Sequence, residues 1–144
     1  MTDLSETTDR LEERIRTSGD YLLPATTLTE AIRSALGKIS EVYGSVLTME
    51  GLDLATVTTL EAIDLETLLL GAELQILITL LAGHFTDFSG MILPEEAMNE
   101  RIRQGQKVFE DARNRIRRRL IEKSSDAPHS AFEWEETIDW ESNL

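Results

Sequence analysis

The chain has 144 residues, 41% of them hydrophobic, which is enough for one domain with a modest core. It contains no cysteine, which excludes disulfide bonds, thiol nucleophiles and thiolate metal sites. Its formal charge of −13 argues against a nucleic-acid-binding protein that works by net charge alone.

The first predicted element is a short amphipathic helix. Leu4, Leu11 and Ile15 have helical spacing among acids and arginines, and Gly19 is expected to end the helix. The opening MTDLSETTDRLEERIR is polar and lacks the apolar core of a signal peptide, so we expect a soluble, intracellular protein.

A second helix is predicted from TLTEAIRSALGKISEVYG. Thr27 and Glu30 form a capping-box pattern, in which the hydroxyl and the carboxylate bond free backbone amides at the helix start. Gly44 is the expected end. The apolar stripe of this helix contains Leu28, Ile32, Ala35, Leu36, Ile39 and Tyr43.

Residues 45–63, SVLTMEGLDLATVTTLEAI, have a weak helical signal and a central Gly51. The alternation in SVLTME and ATVTTL is compatible with a small β-hairpin, and an ordinary connecting loop is the other interpretation. The segment is long for a connector in an all-α domain, which is typical of functional or disordered loops.

The third predicted helix, DLETLLLGAELQILITLLAGH, starts at the N-cap candidate Asp64 and stops at Gly83. It is apolar nearly all round, but Glu66, Glu73 and Gln75 make it a poor membrane span. Such a helix needs cover on most faces, which in a chain of this size favours oligomerisation.

The fourth predicted helix covers residues 94–123, with Pro94 at its first position. Its charged faces leave one narrow apolar seam, which suits close packing against a single neighbour. The seam contains Met98, Ile102, Gly105, Phe109, Ala112, Ile116 and Leu120. The fold class is therefore all-α: a small bundle of three main helices and a short N-terminal helix, followed by an extended C-terminal tail.

Charge divides the chain into a helical domain, residues 1–123, and an acidic arm, residues 124–144. Residues 101–123 hold nine basic and three acidic side chains, whereas residues 124–144 hold six acidic and no basic ones. Helix and arm could screen one another, the basic face could simply be solvated, or each could meet a complementary surface on another subunit. The arm also contains both tryptophans, Trp134 and Trp140.

Few residues suggest chemistry, and we expect no catalytic residue, metal or cofactor. His84 and His129 lack metal-ligand spacing. Glu61 with Asp64, and Glu96 with Glu100, are the nearest approach to the paired carboxylates that hold magnesium in all-α nucleotide pyrophosphohydrolases. The basic run could follow a phosphate backbone or form salt bridges with a neighbour. It contains Arg113, Arg115, Arg117, Arg118 and Arg119.

In the order of these features the chain resembles the head–tail connector proteins of tailed bacteriophages, also called adaptor or head-completion proteins. The resemblance begins near residue 24 and rests on LTEAIRSALGKISEVYG, the irregular segment, LLLGAELQILITLLAGH, the charged helix and the tryptophan-containing tail. It implies a virion protein of the neck, assembled in the host cytoplasm and not bound to a membrane. Copies would form a homo-oligomeric ring, a dodecamer matched to the portal, through which genomic DNA passes without sequence-specific binding.

By the same resemblance, the C-terminal segment would bind the portal protein through Phe132, Trp134, Ile138 and Trp140. The 45–63 loop, with Met49, Gly51 and Asp53, would face the channel or the next neck or tail component. The five arginines would combine subunit contacts with the electrostatic field around DNA.

Three alternatives remain open from the residues alone. The chain could be a helical regulatory module, of antitoxin or anti-repressor type, whose acidic tail binds a partner. It could be a metal-dependent nucleotide pyrophosphohydrolase that uses the paired carboxylates. The two tryptophans could also fold back over the groove beside the basic helix instead of binding another protein.

Overall fold

The computed structural model describes residues 2–18, 23–83 and 95–124 of the chain. Within these ranges the protein is all-α, as predicted, with four helices and no strand: α1 (Leu4–Ser18), α2 (Ala25–Tyr43), α3 (Leu65–Gly83) and α4 (Glu95–Ser124). A 3-10 turn, Ala62–Asp64, leads directly into α3. The predicted C-terminal tail lies outside the described residues.

Helix α1 starts at a cap that the sequence pattern did not reveal. The Asp3 carboxylate accepts a hydrogen bond from the Glu6 amide at 2.8 Å, and the Asp3 carbonyl accepts one from the Thr7 hydroxyl. This is the side-chain capping that aspartate commonly provides at a helix start. Leu11 and Ile15 are buried as predicted, and the helix ends one residue before Gly19.

Helix α2 begins three residues earlier than predicted, with its N-cap at Pro24 instead of Thr27, and the capping box at Thr27 and Glu30 is wrong. Pro24 occupies the N-cap position without a side-chain hydrogen bond, and its carbonyl accepts the Thr27 amide at 3.0 Å. Thr27 is thus inside the helix, and the Glu30 carboxylate pairs with Arg33. Gly44 ends the helix as predicted: at φ +76° its amide bonds the Ser40 carbonyl at 2.9 Å.

Helix α3 lies at the centre of the bundle and packs against α1, α2 and α4. Three neighbours in the same chain cover most of its surface, which accounts for its all-round apolar sequence, and the oligomerisation expected from that sequence stays a prediction. Among the described helices, α3 included, none is long and apolar enough to cross a membrane.

Helix α4 packs its predicted seam onto α3 at very short range. Five seam residues are buried, and the two glycines at the interface set the spacing. Gly71 of α3 lies directly beneath the ring of Phe109, and Gly105 of α4 faces Leu74. The predicted small residue at position 105 is confirmed as a contact point, whereas the matching role of Gly71 was not anticipated.

Replacing Gly71 with alanine is expected to destabilise the bundle. A Cβ at this position would lie 2.6 Å from the Phe109 ring and 3.1 Å from the Ala35 Cβ. The ring is itself buried, so moving it disturbs other core side chains, and we expect the free energy of unfolding in urea to fall by about 1–3 kcal/mol.

Gly37→Ala is the matched control. It also lies inside a helix, but a Cβ added there would have no other atom within 4 Å. At this position the better helix propensity of alanine should raise the free energy of unfolding by about 0.5–1 kcal/mol. Equal effects at the two positions would contradict the close packing of α3 on α4.

Candidate functional site

The 45–63 loop is ordered and contains no strand, so the hairpin interpretation is not confirmed. Its two halves are nevertheless joined by threonines. The Thr59 amide donates to the Thr48 carbonyl at 2.9 Å, and the Thr48 amide donates to the Thr59 hydroxyl at 2.7 Å. The Thr48 hydroxyl in turn donates to the Val57 carbonyl at 2.9 Å. Side chains therefore supply hydrogen bonds that a sheet would take from the backbone.

The N-terminus braces the middle of this loop. The Leu4 amide donates to the Glu50 carbonyl at 2.8 Å, and the Thr58 hydroxyl donates to the Thr2 carbonyl at 2.5 Å. A Cβ on Gly51 would lie 3.3 Å from the Leu4 Cβ, and Gly51 itself has φ +91°. The loop is thus packed against the start of α1 at a point where glycine is favoured on both grounds.

The tip of the loop is held in an unfavourable backbone conformation. Asp53 and Leu54 have φ of +51° and +67°, in the left-handed region that bulky residues rarely adopt. Arg33 of α2 holds the tip by a bidentate ion pair, with Nε 2.9 Å from Asp53 Oδ2 and Nη2 2.6 Å from Oδ1. The hydrogen bonds from Arg33 lower the pKa of Asp53. This arrangement presents Leu54 with 97% of its surface exposed.

The three loop residues singled out by sequence have structural positions. Met49 is fully buried, Gly51 packs on Leu4, and Asp53 binds Arg33. The exposed surface of the loop mixes polar side chains with four large apolar ones, Val46, Leu54, Val57 and Ile63. The alternation in SVLTME does mark buried positions, since Leu47 and Met49 are buried on either side of Thr48. The alternation in ATVTTL does not, because Val57 and Thr59 are both exposed.

The five predicted arginines divide into three that are paired within the chain and two that are not. Arg113 pairs with Glu110 and Glu41, Arg117 pairs with Glu110, and Arg119 pairs with Asp64. Arg115 and Arg118 are exposed and form no hydrogen bond or ion pair in the part of the chain that the structure describes. A basic run that looks uniform in sequence thus divides into arginines that are paired within the fold and arginines that have no partner among the described residues.

Arg119 forms a buried network with Asp64 and Tyr43, which the sequence did not predict. Its Nη1 and Nη2 lie 2.7 and 2.6 Å from the two Asp64 oxygens, and the Tyr43 hydroxyl also donates to Asp64. Asp64 is 2% exposed. Its carboxylate is therefore occupied by Arg119 and Tyr43, and the expected N-cap role at α3 is not what this residue does.

Electrostatics favour the charged form of Asp64 in this network. Burial alone would raise its pKa, but hydrogen bonds from Arg119 and Tyr43 outweigh burial, and the pKa of Asp64 lies below its ordinary value. Burial, with the hydrogen bond to Asp64, raises the pKa of Tyr43. The network is thus an ionised carboxylate held by a guanidinium and a neutral phenol.

The structure does not bring the two candidate magnesium pairs together. Asp64 and Glu61 lie near Arg119, whereas Glu100 precedes Arg119 by nineteen residues on the same helix, about 28 Å along its axis. Glu100 pairs with Arg103 at 3.2 Å. No cluster of three or more His, Asp or Glu with metal-binding geometry occurs within residues 2–18, 23–83 and 95–124.

The predicted portal-binding residues Phe132, Trp134, Ile138 and Trp140 lie outside the described residues, as do His84 and His129. Helix α4 ends at Ser124, close to the 3-10 turn, since Lys123 Nζ is 3.7 Å from Glu61 Oε1. Ile63 and Ile121 are both about two-thirds exposed, at 67% and 65%.

No family model, curated protein or solved structure matches this chain.

Replacing Arg119 with methionine should strongly destabilise the protein, because it leaves a buried carboxylate without its cation. We expect the free energy of unfolding to fall by about 3 kcal/mol, at the lower end for a broken buried pair because Arg119 is 26% exposed. Arg118→Met is the matched control and should change it by less than about 0.5 kcal/mol. Adding Asp64→Asn to Arg119→Met should recover part of the loss. If urea denaturation shows that the double variant loses the full sum of the stability lost in the two single variants, the network is contradicted.

The stability of the protein should fall in acid in a way that depends on Asp64. Its pKa is lower in the folded than in the unfolded chain, so its contribution is complete above the ordinary value of about 3.9. That contribution is lost as the pH falls through the folded pKa. Urea unfolding curves measured between about pH 2 and 6 give the free energy of unfolding at each pH. This free energy should decrease less steeply in acid for Asp64→Asn than for the unchanged chain. Asp53→Asn should change the slope less, because Asp53 is exposed to solvent.

Proposed function

We propose that this chain is a structural protein of a phage neck, which forms a ring beneath the portal and extends the DNA channel toward the tail. The proposal rests on the resemblance to head–tail connector proteins, and the observed all-α bundle agrees with the fold that the resemblance implies. The observation that carries it furthest is the ordered loop at residues 45–63, which exposes Val46, Leu54 and Val57 to solvent.

Large apolar side chains exposed on an ordered loop are typical of protein contact. A flexible connector has no need for the threonine hydrogen bonds, the Arg33–Asp53 ion pair or a strained tip. Exposed leucine and valine would also gain nothing from a water-filled channel, whereas they would be buried against a protein. Of the two roles expected for the loop, contact with a protein therefore fits its surface better than lining the channel.

The arm would add a second, separate contact. Residues 125–144 begin where α4 ends, and twenty residues can reach about 66 Å when extended, more than the roughly 45 Å length of α4. Trp134 and Trp140 are of the residue type enriched at binding hot spots. We assign the arm with Phe132, Trp134, Ile138 and Trp140 to the portal.

Arg115 and Arg118 would serve the ring itself. Their side chains are exposed and carry no partner among the described residues, so they are available to a neighbouring subunit or to the field around passing DNA. Because each subunit of a ring joins the next head to tail, one chain must offer two different complementary surfaces. A ring with twelve-fold symmetry would match the portal.

Truncating the chain after Ser124 should leave the bundle intact and abolish binding to the portal protein encoded by the same genome. The reason is that all four described helices contribute buried side chains to one continuous core. Far-UV circular dichroism and the melting temperature should stay close to those of the full chain, and co-purification with the portal should be lost.

Trp134→Ala with Trp140→Ala in the full chain should reproduce the loss, and Thr137→Ala with Ser142→Ala is the matched control. A truncated chain that loses its helical signal would instead make the arm part of the core. If the full chain is a small dimer and does not bind the portal protein, the result would favour the interpretation as a regulatory module.

A further inference from the structure

We propose that in the free subunit the C-terminal arm folds back along its own helix α4, with Trp134 bound in the groove between α3 and α4, and that the portal protein competes with the groove for the arm. This inference rests on the proposed function and adds its regulation, because the arm is held by its own chain until the portal is present. The occupant of the groove is therefore residues 125–144 of the same chain.

The groove offers an apolar surface that the described helices leave uncovered. Val108 of α4 is 46% exposed although the next residue, Phe109, is buried in the core. A large aromatic ring placed here would bury apolar surface on both helices at once. The apolar side chains that line the groove are Leu70, Leu74, Leu77 and Val108.

The length of the arm and the place where it starts bring Trp134 to this groove. Helix α4 ends at Ser124, and Val108 lies sixteen residues earlier, about 24 Å back along the helix axis. Trp134 is ten residues beyond Ser124, a reach of about 33 Å for an extended chain. The difference of about 9 Å is available for the reversal of direction, and the sequence SSDAP has the Ser, Asp and Pro that are typical of turns.

The other aromatic residues of the arm match the groove less well. With the same length spent on the reversal, Phe132 stops about 7 Å short of Val108. Trp140 reaches about 44 Å, which corresponds to the far end of α4. Trp134 is thus the ring that we assign to the groove, and Trp140 is expected to stay accessible to solvent.

Two unpaired arginines lie on the same side of α4 as Val108. Arg101 precedes it by seven residues and Arg115 follows it by seven, and this spacing of about two turns places all three on one face. Neither arginine forms a hydrogen bond or ion pair within the described ranges. Residues 125–144 contain no base, and acids surround Trp134 in the arm. The nearest of these are Glu133, Glu135 and Glu136.

Charge makes the smaller contribution to this contact. Glu73 and Gln104 line the groove beside Arg101. The Glu73 carboxylate lies 3.8 Å from Nη2 of Arg14, which also pairs with Glu66, so the acid in the groove shares a cation. We therefore assign most of the binding to the apolar burial of Trp134, and to the two arginines a share that salt would screen.

The arm of the same chain is favoured over the arm of a second copy. Attachment to α4 gives the arm a local concentration in the millimolar range, as a short flexible linker does. Separate copies each carry a charge of −13 and repel one another. When the portal binds the arm, the groove and Arg115 become accessible to a neighbouring subunit, so ring contacts would form on the portal and not in solution.

Tryptophan fluorescence tests the docking directly, because both tryptophans of the chain are in the arm. In the full-length protein, Trp140→Phe leaves Trp134 as the only emitter, and Trp134→Phe leaves Trp140. We expect Trp134 to emit at shorter wavelength and to be quenched by acrylamide several-fold less than Trp140. The protection of Trp134 should not change on dilution, because the contact lies within one chain.

Val108→Glu, added to Trp140→Phe, should release Trp134, because it places a carboxylate in the groove beside the acids of the arm. Its emission should shift to longer wavelength and its quenching should rise to that of Trp140. Val57→Glu is the matched control, since Val57 is exposed to a similar degree, 56%, and does not line the groove. The inference is overturned if Trp134 and Trp140 are quenched equally, if the protection disappears on dilution, or if the two glutamate variants behave alike.

Binding to the portal protein encoded by the same genome tests the competition. If the arm is docked for about nine-tenths of the time, Val108→Glu alone should bind the portal about tenfold more tightly than the unchanged chain, although it lies outside the arm. Release of Trp134 without tighter portal binding overturns the competition and leaves the proposed function standing. If Trp134 is protected and is released by Val108→Glu but no variant binds the portal, the docking stands and the proposed function is wrong.

Discussion

The burial of one carboxylate constrains this bundle more than any other single feature. Asp64 lies at the junction where the loop ends and α3 begins, and at 2% exposure it must have a cation and hydrogen-bond donors to remain ionised. Arg119 from the last turns of α4 and Tyr43 from the last residue of α2 supply them. Three helices are thereby fixed to one another at the same end of the molecule.

Close packing determines how α4 lies along the rest of α3. Gly71 leaves room for the Phe109 ring and Gly105 leaves room for Leu74, so each helix receives a side chain of the other where it has none of its own. Arg113 lies over the same Phe109 ring, 5.8 Å from its centre, and reaches Glu41 of α2. With the Asp64 network at one end and the glycine contacts along the middle, α4 is set in register on α3.

That rigidity gives the exposed surfaces defined positions. The loop at residues 45–63 is held by its threonines, by the N-terminus and by Arg33, so its apolar side chains are presented in place and would lose little conformational entropy on binding. Of the five arginines between residues 113 and 119, three are paired within the fold and two have no partner among the described residues. A small bundle thus separates the charged groups that hold it together from those left exposed to solvent.

The sequence by itself determined the all-α class, the position of α4 to within one residue, its seam and the stop at Gly44. Each of these follows from local rules of helical periodicity, helix-breaking glycine or end capping. Only the tertiary structure decided that three neighbours cover α3, that Asp64 is paired with Arg119 and not a helix cap, and that Met49 is buried while Leu54 is exposed. Asp64 and Arg119 are fifty-five residues apart, and no periodicity links residues across that distance. Which arginine lies beside the buried acid depends on how the helices pack.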